Sequence, residues 1–308
     1  HSFFMKYRYP AMLHTMPKNL VIFGGFAIGL ILMVSIYGVL HARRVYVRQD
    51  PVVIEKSSSL PGLKIALIAD LHLGYNSTKS HVRKIVDTIN SQNVDLVCIA
   101  GDLFDNDYDA IKDPDKVADI LSGIKSRYGT YACWGNHDVS EKILAGFTFP
   151  QKETIVRDGR FTEFLHHAGI TMLEDETVCI DNAFYLVGRR DKDMAKKEQL
   201  LRKTFSEITE PLDPSLPIIV MDHQPGELSE ASDAGVDLDL SGHTHDGQMF
   251  PANLVVHFLW ENACGVLKKG AMTSIVTSGA GVWGPAMRVG TNNEVVIANV
   301  SFDPATDQ

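Results

Sequence analysis

The chain has 308 residues, 45% of them hydrophobic and 22% charged, with a formal net charge of -9. That composition supports a sizeable core and excludes a generally disordered chain, and the acidic balance disfavours non-specific binding to nucleic acid. At the N-terminal side, Leu20 to Leu40 carries no charged residue and is long enough to cross a hydrocarbon core of ~30 Å as a helix. No small-residue cleavage site follows it, so it does not read as a signal peptide. A transmembrane helix is expected over 20–41, after a segment 1–19 and before a polar linker 42–62 with one early strand at 52–54. Lys6, Arg8 and Lys18 precede the span and Arg43, Arg44 and Arg48 follow it, so the flanking charges do not orient it. A start at His1 rather than Met is consistent with a fragment that has more spans upstream.

From residue 63 onwards apolar strand-like runs alternate with helical stripes. Lys64 to Ala69 reads as a buried strand, then Val82, Ile85, Val86 and Ile89 mark a helix capped by Ser77 or Thr78. Asp95 to Ala100 is a second strand, Val117 to Ile124 a second helical stripe, and Thr130 to Trp134 a third strand. An excursion covers 141–160. A helix near 161–168, short strands at 170–173, 177–180 and 183–187, and a polar helix over 195–207 come next. Strands at 217–221, 236–240, 272–277 and 294–300 complete an α/β domain over 63–302, with a tail at 303–308. The expected architecture is two packed sheets with helices outside. Cys98, Cys133, Cys179 and Cys264 show no metal-binding spacing and no disulfide framework.

Five strands end in polar clusters: Asp70/His72, Asp102/Asp105, Asn136/His137/Asp138, His223 and His243/His245. In extended backbone the two histidines of His243-Thr244-His245 would face the same side. Ligands bind beyond the carboxyl ends of strands in open α/β sheets, so the clusters are expected to converge there. Carboxylate, carboxamide and imidazole donors without thiol suit Mn, Fe or Zn. Each residue also has an ordinary explanation. Asp70 can cap a turn, Asn136 can sit in a left-handed turn, His223 can be a loop histidine, and His72 and His137 can be structural. It is their joint placement at strand ends that favours a metal site. His81, His166 and His167 fall in helical or loop contexts and carry no assigned chemistry.

Asp70-x-His72, Gly101-Asp102, Gly135-Asn136-His137-Asp138, His223 and Gly242-His243-x-His245 resemble, in content and order, the calcineurin-like metallophosphoesterases. The resemblance implies a four-layer α/β/β/α sandwich and two divalent metal ions (Mn, Fe or Zn). It implies that Asp70, His72, Asp102 and His245 hold one ion, and Asp102, Asn136, His223 and His243 the other. A hydroxide bridging the ions would attack a phosphomonoester or phosphodiester in line. His137 would protonate the leaving oxygen, and Asp105 would orient His137.

Asn106-Asp107 after Asp105 departs from the Arg-Gly of protein Ser/Thr phosphatases, and His137 departs from the Arg of the lipid A pathway pyrophosphatase. The stretch Gly242 to Gln248, with Phe250-Pro251, Trp283-Gly284-Pro285 and Arg288-x-Gly290-Thr291, looks like the membrane-anchored bacterial phosphohydrolases of the YkuE/YaeI type. Those usually have Gly where this chain has Asp246. Trp283 and Arg288 are the candidate substrate-binding residues; Arg288 would grip phosphate bidentately, with a plain surface arginine as its alternative. Leu254 to Trp260 is expected to be a core helix, its alternative a hydrophobic lip admitting a lipid-linked phosphate. Arg189-Arg190-Asp191 reads as a solvated turn. The expected partners are a phosphate-ester substrate and the bilayer, with no nucleic acid. The expected place is the bacterial cell membrane, with the catalytic domain outside the cytoplasm. The alternatives are a nuclease or nucleotide phosphodiesterase, which would need a basic groove, and a catalytically idle scaffold, which would be free to lose ligands.

Overall fold

The computed structural model describes residues 18–141, 143–144, 147–148 and 157–303. The expected segment before residue 18, with Lys6 and Arg8, most of the excursion over 141–160, and the tail after residue 303 lie outside the described residues. In chain order the first half comprises α1 (Lys18–His41), β1 (Tyr46–Ile54), β2 (Leu63–Ile68), α2 (Lys79–Ser91), β3 (Leu96–Ala100), α3 (Pro114–Leu121), β4 (Thr130–Cys133), the paired β5 (Ile143–Leu144) and β6 (Phe147–Thr148), α4 (Gly159–His167) and β7 (Ile170–Met172). The second half comprises β8 (Glu176–Ile180), β9 (Phe184–Gly188), α5 (Lys192–Glu198), α6 (Phe205–Thr209), β10 (Ile218–Met221), α7 (Leu228–Asp233), β11 (Leu238–Ser241), α8 (Ala252–Leu259), β12 (Gly265–Lys269), β13 (Met272–Val276) and β14 (Glu294–Phe302).

Two six-stranded sheets form, in the orders β1-β14-β2-β3-β4-β7 and β12-β13-β11-β10-β9-β8. Period-two alternation along the strands builds the layers. In the first sheet Ala66, Ile68, Val97 and Ile99 pack outward under α2, α3 and α4. Ile65, Leu67, Leu96 and Cys98 point inward and meet Phe184, Leu186, Ile219, Met221, Leu238 and Leu240 of the second sheet. Val187, Ile218 and Val220 face the other way, under α6 and α7. The result is the expected four-layer α/β/β/α sandwich. Each buried Val, Leu, Ile, Phe or Met on these strands contributes about 1.5–3 kcal/mol by its burial.

β2, β3 and β4 run parallel, as do β9, β10, β11 and β13. Parallel strands place all their carboxyl ends at one rim, and this is what gathers the polar clusters. Thr78 caps α2 as expected, accepting a bond from the His81 N–H. The expected polar helix over 195–207 is instead two helices, α5 and α6, the second opened by a Thr204/Glu207 capping box. Residues 46–54, inside the stretch read as linker, form β1, parallel to β14 at the sheet edge. Its polar look reflects a strand with alternate side chains exposed.

α1 is apolar all round, and Gly38 is its only buried residue among those described. Its 24 residues give a length of about 36 Å, enough to cross a membrane. At its C-terminal end the Gly38 carbonyl accepts a bond from the Arg288 N–H at 3.0 Å, and Gly38 lies against Met287 and Val289. The helix is thereby docked on the loop before β14.

Asp239 on β11 is fully buried and accepts bonds from Ser274 Oγ at 2.9 Å and Ser241 Oγ at 3.2 Å. Burial, with the nearby Asp222 charge, pushes its carboxyl up to about 7. Its folded pKa then exceeds the unfolded one, so the folded state holds an extra proton between about pH 4 and 7, and stability falls as pH rises through that window. Asp239→Asn removes this loss. Thermal melts should show the variant gaining on the parent, on the order of 2 kcal/mol between about pH 5 and 8. An equal change in both proteins would contradict the buried neutral carboxyl.

Candidate metal centre

The polar clusters do meet at the rim, and the backbone bends sharply to bring them there. Asp70, His72, Asp102, His243 and His245 all take positive φ, between 43° and 71°. Such conformations cost of order 1–3 kcal/mol each and persist where surrounding structure holds them. The expected extended His-x-His is therefore corrected. β11 ends at Ser241, and His243 and His245 lie in a tight turn that sends their rings to two neighbouring groups of donors. Glycine makes the approach possible. A Cβ on Gly101, itself at φ 79°, would lie 2.5 Å from His223 Nδ1, and one on Gly242 would lie 2.4 Å from Ala69 Cβ.

One group contains Asp70, His72 and His245, and another Asp102, His223 and His243; within each, the donor atoms lie within 4.8 Å of one another. His72 Nε2 and His245 Nε2 are 3.0 Å apart, and His245 Nε2 is 3.9 Å from Asp70 Oδ1. His243 Nδ1 lies 3.2 Å from His223 Nε2, which is also 3.0 Å from Asn136 Oδ1. Asp102 Oδ2 stands between the groups, 3.2 Å from His223 Nε2 and 3.8 Å from His72 Nε2. Imidazole nitrogens facing each other at such distances, among carboxylates, are the donor arrangement that divalent cations require.

The electrostatics of His243 and His245 agree, while, against the penalty of burial, the carboxylates around His223 and His72 hold those two imidazoles above their ordinary range. Burial pushes His243 down to about 3 and His245 well below its ordinary range, leaving both imidazoles neutral, as metal ligation demands. Against the penalty of burial, His223, His137 and His72 hold Asp102 well below the usual carboxylate range. Burial raises Asp70. The His223 ring is steered by its Nδ1, which donates to the Ala100 carbonyl at 2.8 Å, so Nε2 faces the site.

His137 lies at the edge of this centre, its backbone N–H bonded to Asp102 Oδ1 at 2.8 Å. Its expected orienting partner was Asp105. The structure gives that part to Asn106, whose Oδ1 accepts from His137 Nδ1. Asn106 sits at φ 59°, which turns its side chain inward. Asp105 Oδ1 instead faces His72 Nδ1 at 3.4 Å, the side of the ring turned away from His245. Asp138 shapes the loop, accepting the Gly135 and Phe104 N–H groups at 2.7 and 2.8 Å. The sequence places Asp138 in a polar cluster without a role of its own, and Asn106, just outside the quoted motifs, carries no functional signal there.

Arg288 is fully buried and does not present itself as a phosphate grip. Its guanidinium donates to the carbonyls of Ser278 at 2.6 Å, Gly281 at 2.8 Å and His245 at 3.1 Å, and lies 3.2 Å from His245 Nδ1. It ties the C-terminal loop to the His245 turn. Trp283 stands beside the site, its ring 6.3 Å from that of His137, with its backbone held by Gln248. Arg189 is no solvated turn residue. It is buried, paired with Asp222 at 3.2 Å and stacked over Phe205.

The expected core helix at 254–260 is also corrected. α8 has no buried residue, and Trp260 at its end meets the His243 ring edge-on at 5.3 Å. Asp246, at φ 51°, bonds His257 of α8 at 3.0 Å. A cavity of about 490 Å³ lies beside His72, between the end of α1 (Val39) and the residues just after it (Ala42, Arg43), the start of α2 with Lys84, and the loop carrying Val282 and Ala286.

Comparison with known proteins adds a family to this geometry. A model described as calcineurin-like phosphoesterase matches residues 63–247. A metallophosphoesterase of Helicobacter pylori (strain J99) is 32% identical over 251 residues, 81% of this chain and 62% of that protein. A transmembrane protein with metallophosphoesterase domain from Danio rerio is 28% identical, covering 85% of this chain and 59% of that protein. The metallophosphoesterase YkuE of Bacillus subtilis is 27% identical over 63% of each. The chain thus spans about three-fifths of the length of these relatives.

Arg288→Met would leave the Ser278 and Gly281 carbonyls without their donor, while the His245 carbonyl would keep the Gln248 N–H. Each such loss costs about 1–3 kcal/mol, so thermal melts of the variant should show a large fall in stability. An unchanged melting temperature with a raised KM would return Arg288 to a substrate-binding role.

Proposed function

Because the chain belongs to the calcineurin-like phosphoesterase family, we propose that it is a membrane-anchored phosphoric-ester hydrolase working with two divalent cations. The observation that carries the reading is Asp102 Oδ2, placed between two sets of buried nitrogen and oxygen donors. Asp70, His72, Asp102 and His245 would hold one cation, and Asp102, Asn136, His223 and His243 the other. Nitrogen and oxygen donors without thiol suit Mn, Fe or Zn. When bound, the pair would supply a nucleophile from water near neutral pH and neutralise charge on the phosphoryl oxygens.

The protein's own part is to position and to move one proton. The Asp105 carboxylate fixes the face of His72, and the Ala100 carbonyl fixes that of His223. Asn106 Oδ1 accepts a hydrogen bond from His137 Nδ1–H, which would leave Nε2 to face the leaving oxygen. Burial lowers the His137 pKa, and the negative charge of a phosphoryl group beside it would raise it again, favouring proton donation. Trp283 and Trp260 would wall the pocket on either side.

A lipid-linked phosphate ester is the substrate class that best suits the surroundings. The cavity beside His72 is walled by the end of α1, the helix we read as the membrane span, and has basic side chains at its margin. Phosphodiester and phosphomonoester chemistry both fit the centre.

Asp102→Ala should lose bound metal and activity together. His137→Ala should keep its metal while turnover of bis-p-nitrophenyl phosphate falls about 10²-fold or more. Normal turnover in that variant would remove the proton-donor role. In detergent-dispersed assays, long-chain phosphate esters should be cleaved with higher kcat/KM than short-chain ones of the same headgroup. Equal values would remove the lipid-linked part and leave the hydrolase.

A further inference from the structure

We propose that α8 is a second membrane element, lying in the headgroup region of the bilayer beside the point where α1 leaves it. Residues 249–260 contain no Asp, Glu, Lys or Arg. Leu254, Val255, Phe258 and Leu259 are 54%, 54%, 90% and 71% exposed. Their spacing puts them on one side of the helix. A helix on a water-facing surface shows the opposite arrangement, polar outside and apolar inside.

This face is held rigidly outward. A Cβ on Gly247 would lie 2.4 Å from Asn253 N, so the inner side of α8 is pressed onto the His245 turn. His257 is tied to Asp246, and Trp260 to the His243 ring. The helix therefore has no room to roll its apolar side into the domain's own core.

The occupant follows from continuity with α1. The Phe250 N–H donates to the Val289 carbonyl at 2.8 Å, and the Arg288 N–H donates to Gly38 of α1 at 3.0 Å. His41, the last residue of α1, lies 3.1 Å from the Thr291 carbonyl and 2.9 Å from Asn292 Oδ1. One short loop, 287–292, thus grips the end of the span and the start of α8. An apolar helix with aromatic residues, fixed at the level where a span exits, meets the condition for lying in the interface plane. Phe250, 62% exposed, extends the same surface towards α1. Trp260 ends α8 against His243, so this docking would set the metal centre's mouth at the lipid surface. The proposal rests on the reading of α1 as a span and is independent of the proposed chemistry.

Nitroxide labels on the full chain in phosphatidylcholine–phosphatidylglycerol nanodiscs test it. They would be placed at Phe258→Cys, Val255→Cys, Ile28→Cys in α1 and Leu201→Cys, in a background with Cys179 and Cys264 changed to Ser. Leu201 is 92% exposed and serves as the water-facing reference. The ratio of oxygen to nickel-chelate collision rates at 258 and 255 should be severalfold above that at 201 and below that at 28, which lies deeper along α1. Ratios at 258 and 255 matching 201, with a high ratio at 28, would overturn the proposal. So would labels at 258 and 255 shielded from both quenchers, since that would mark a contact between copies of the chain. A low ratio at 28 would remove the span and the proposal with it. Because no reading depends on turnover, failure of the hydrolase assignment would show separately, in the metal and activity assays.

Discussion

The centre depends on how closely two sheets approach at one rim. Strand ends of separate sheets cannot normally touch, because side chains hold stacked sheets about 10 Å apart. Here Gly101 and Gly242 remove the side chains at the crossing, so the His223 ring rests on the first and Ala69 against the second. The left-handed bends at Asp70, Asp102, His243 and His245 then turn donors from both sheets into one volume. The hydrophobic layer between the sheets sustains that strain, since Leu67, Leu238 and their neighbours lose their burial if the rim opens.

Burial is also what gives the donors their chemistry. The same low-dielectric surroundings keep His243 and His245 neutral while neighbouring imidazoles keep Asp102 charged. Buried carboxylates and opposed imidazoles are costly without a counter-charge, so the donor set is one that a bound cation would stabilise. Around this core, fixed hydrogen bonds settle ring orientation: Ala100 for His223, Asn106 for His137, and Arg288 for the turn that carries His245.

The same turn links the centre to the end of α1 and to α8. His245, Asp246 and Gly247 lie between the donor groups and α8, while Arg288 joins the His245 carbonyl to the loop that holds Gly38. The C-terminal end of α1 and the mouth of the centre therefore share one set of backbone contacts. On the reading of α1 as an anchor, the domain does not hang freely from it.

The sandwich was largely legible before any coordinates, because strand burial and helix faces follow from local periodicity. Ile65 to Ile68, Val82 to Ile89 and Ile218 to Met221 show this. Glycine followed by Asp, Asn or His at successive strand ends was equally readable, since ligand types and their order are properties of the chain itself. Tertiary structure decided which residue faces which. Asn106 rather than Asp105 bonds His137, because a backbone bend invisible in composition turns one side chain in and its neighbour towards His72. Arg288 is spent on carbonyls that local sequence could not bring to it. Only the end of β1, at 52–54, was legible, because along 46–51 alternate side chains are wet. α8 looked like core because hydrophobicity records what a residue favours, while only packing determines whether protein is there to cover it.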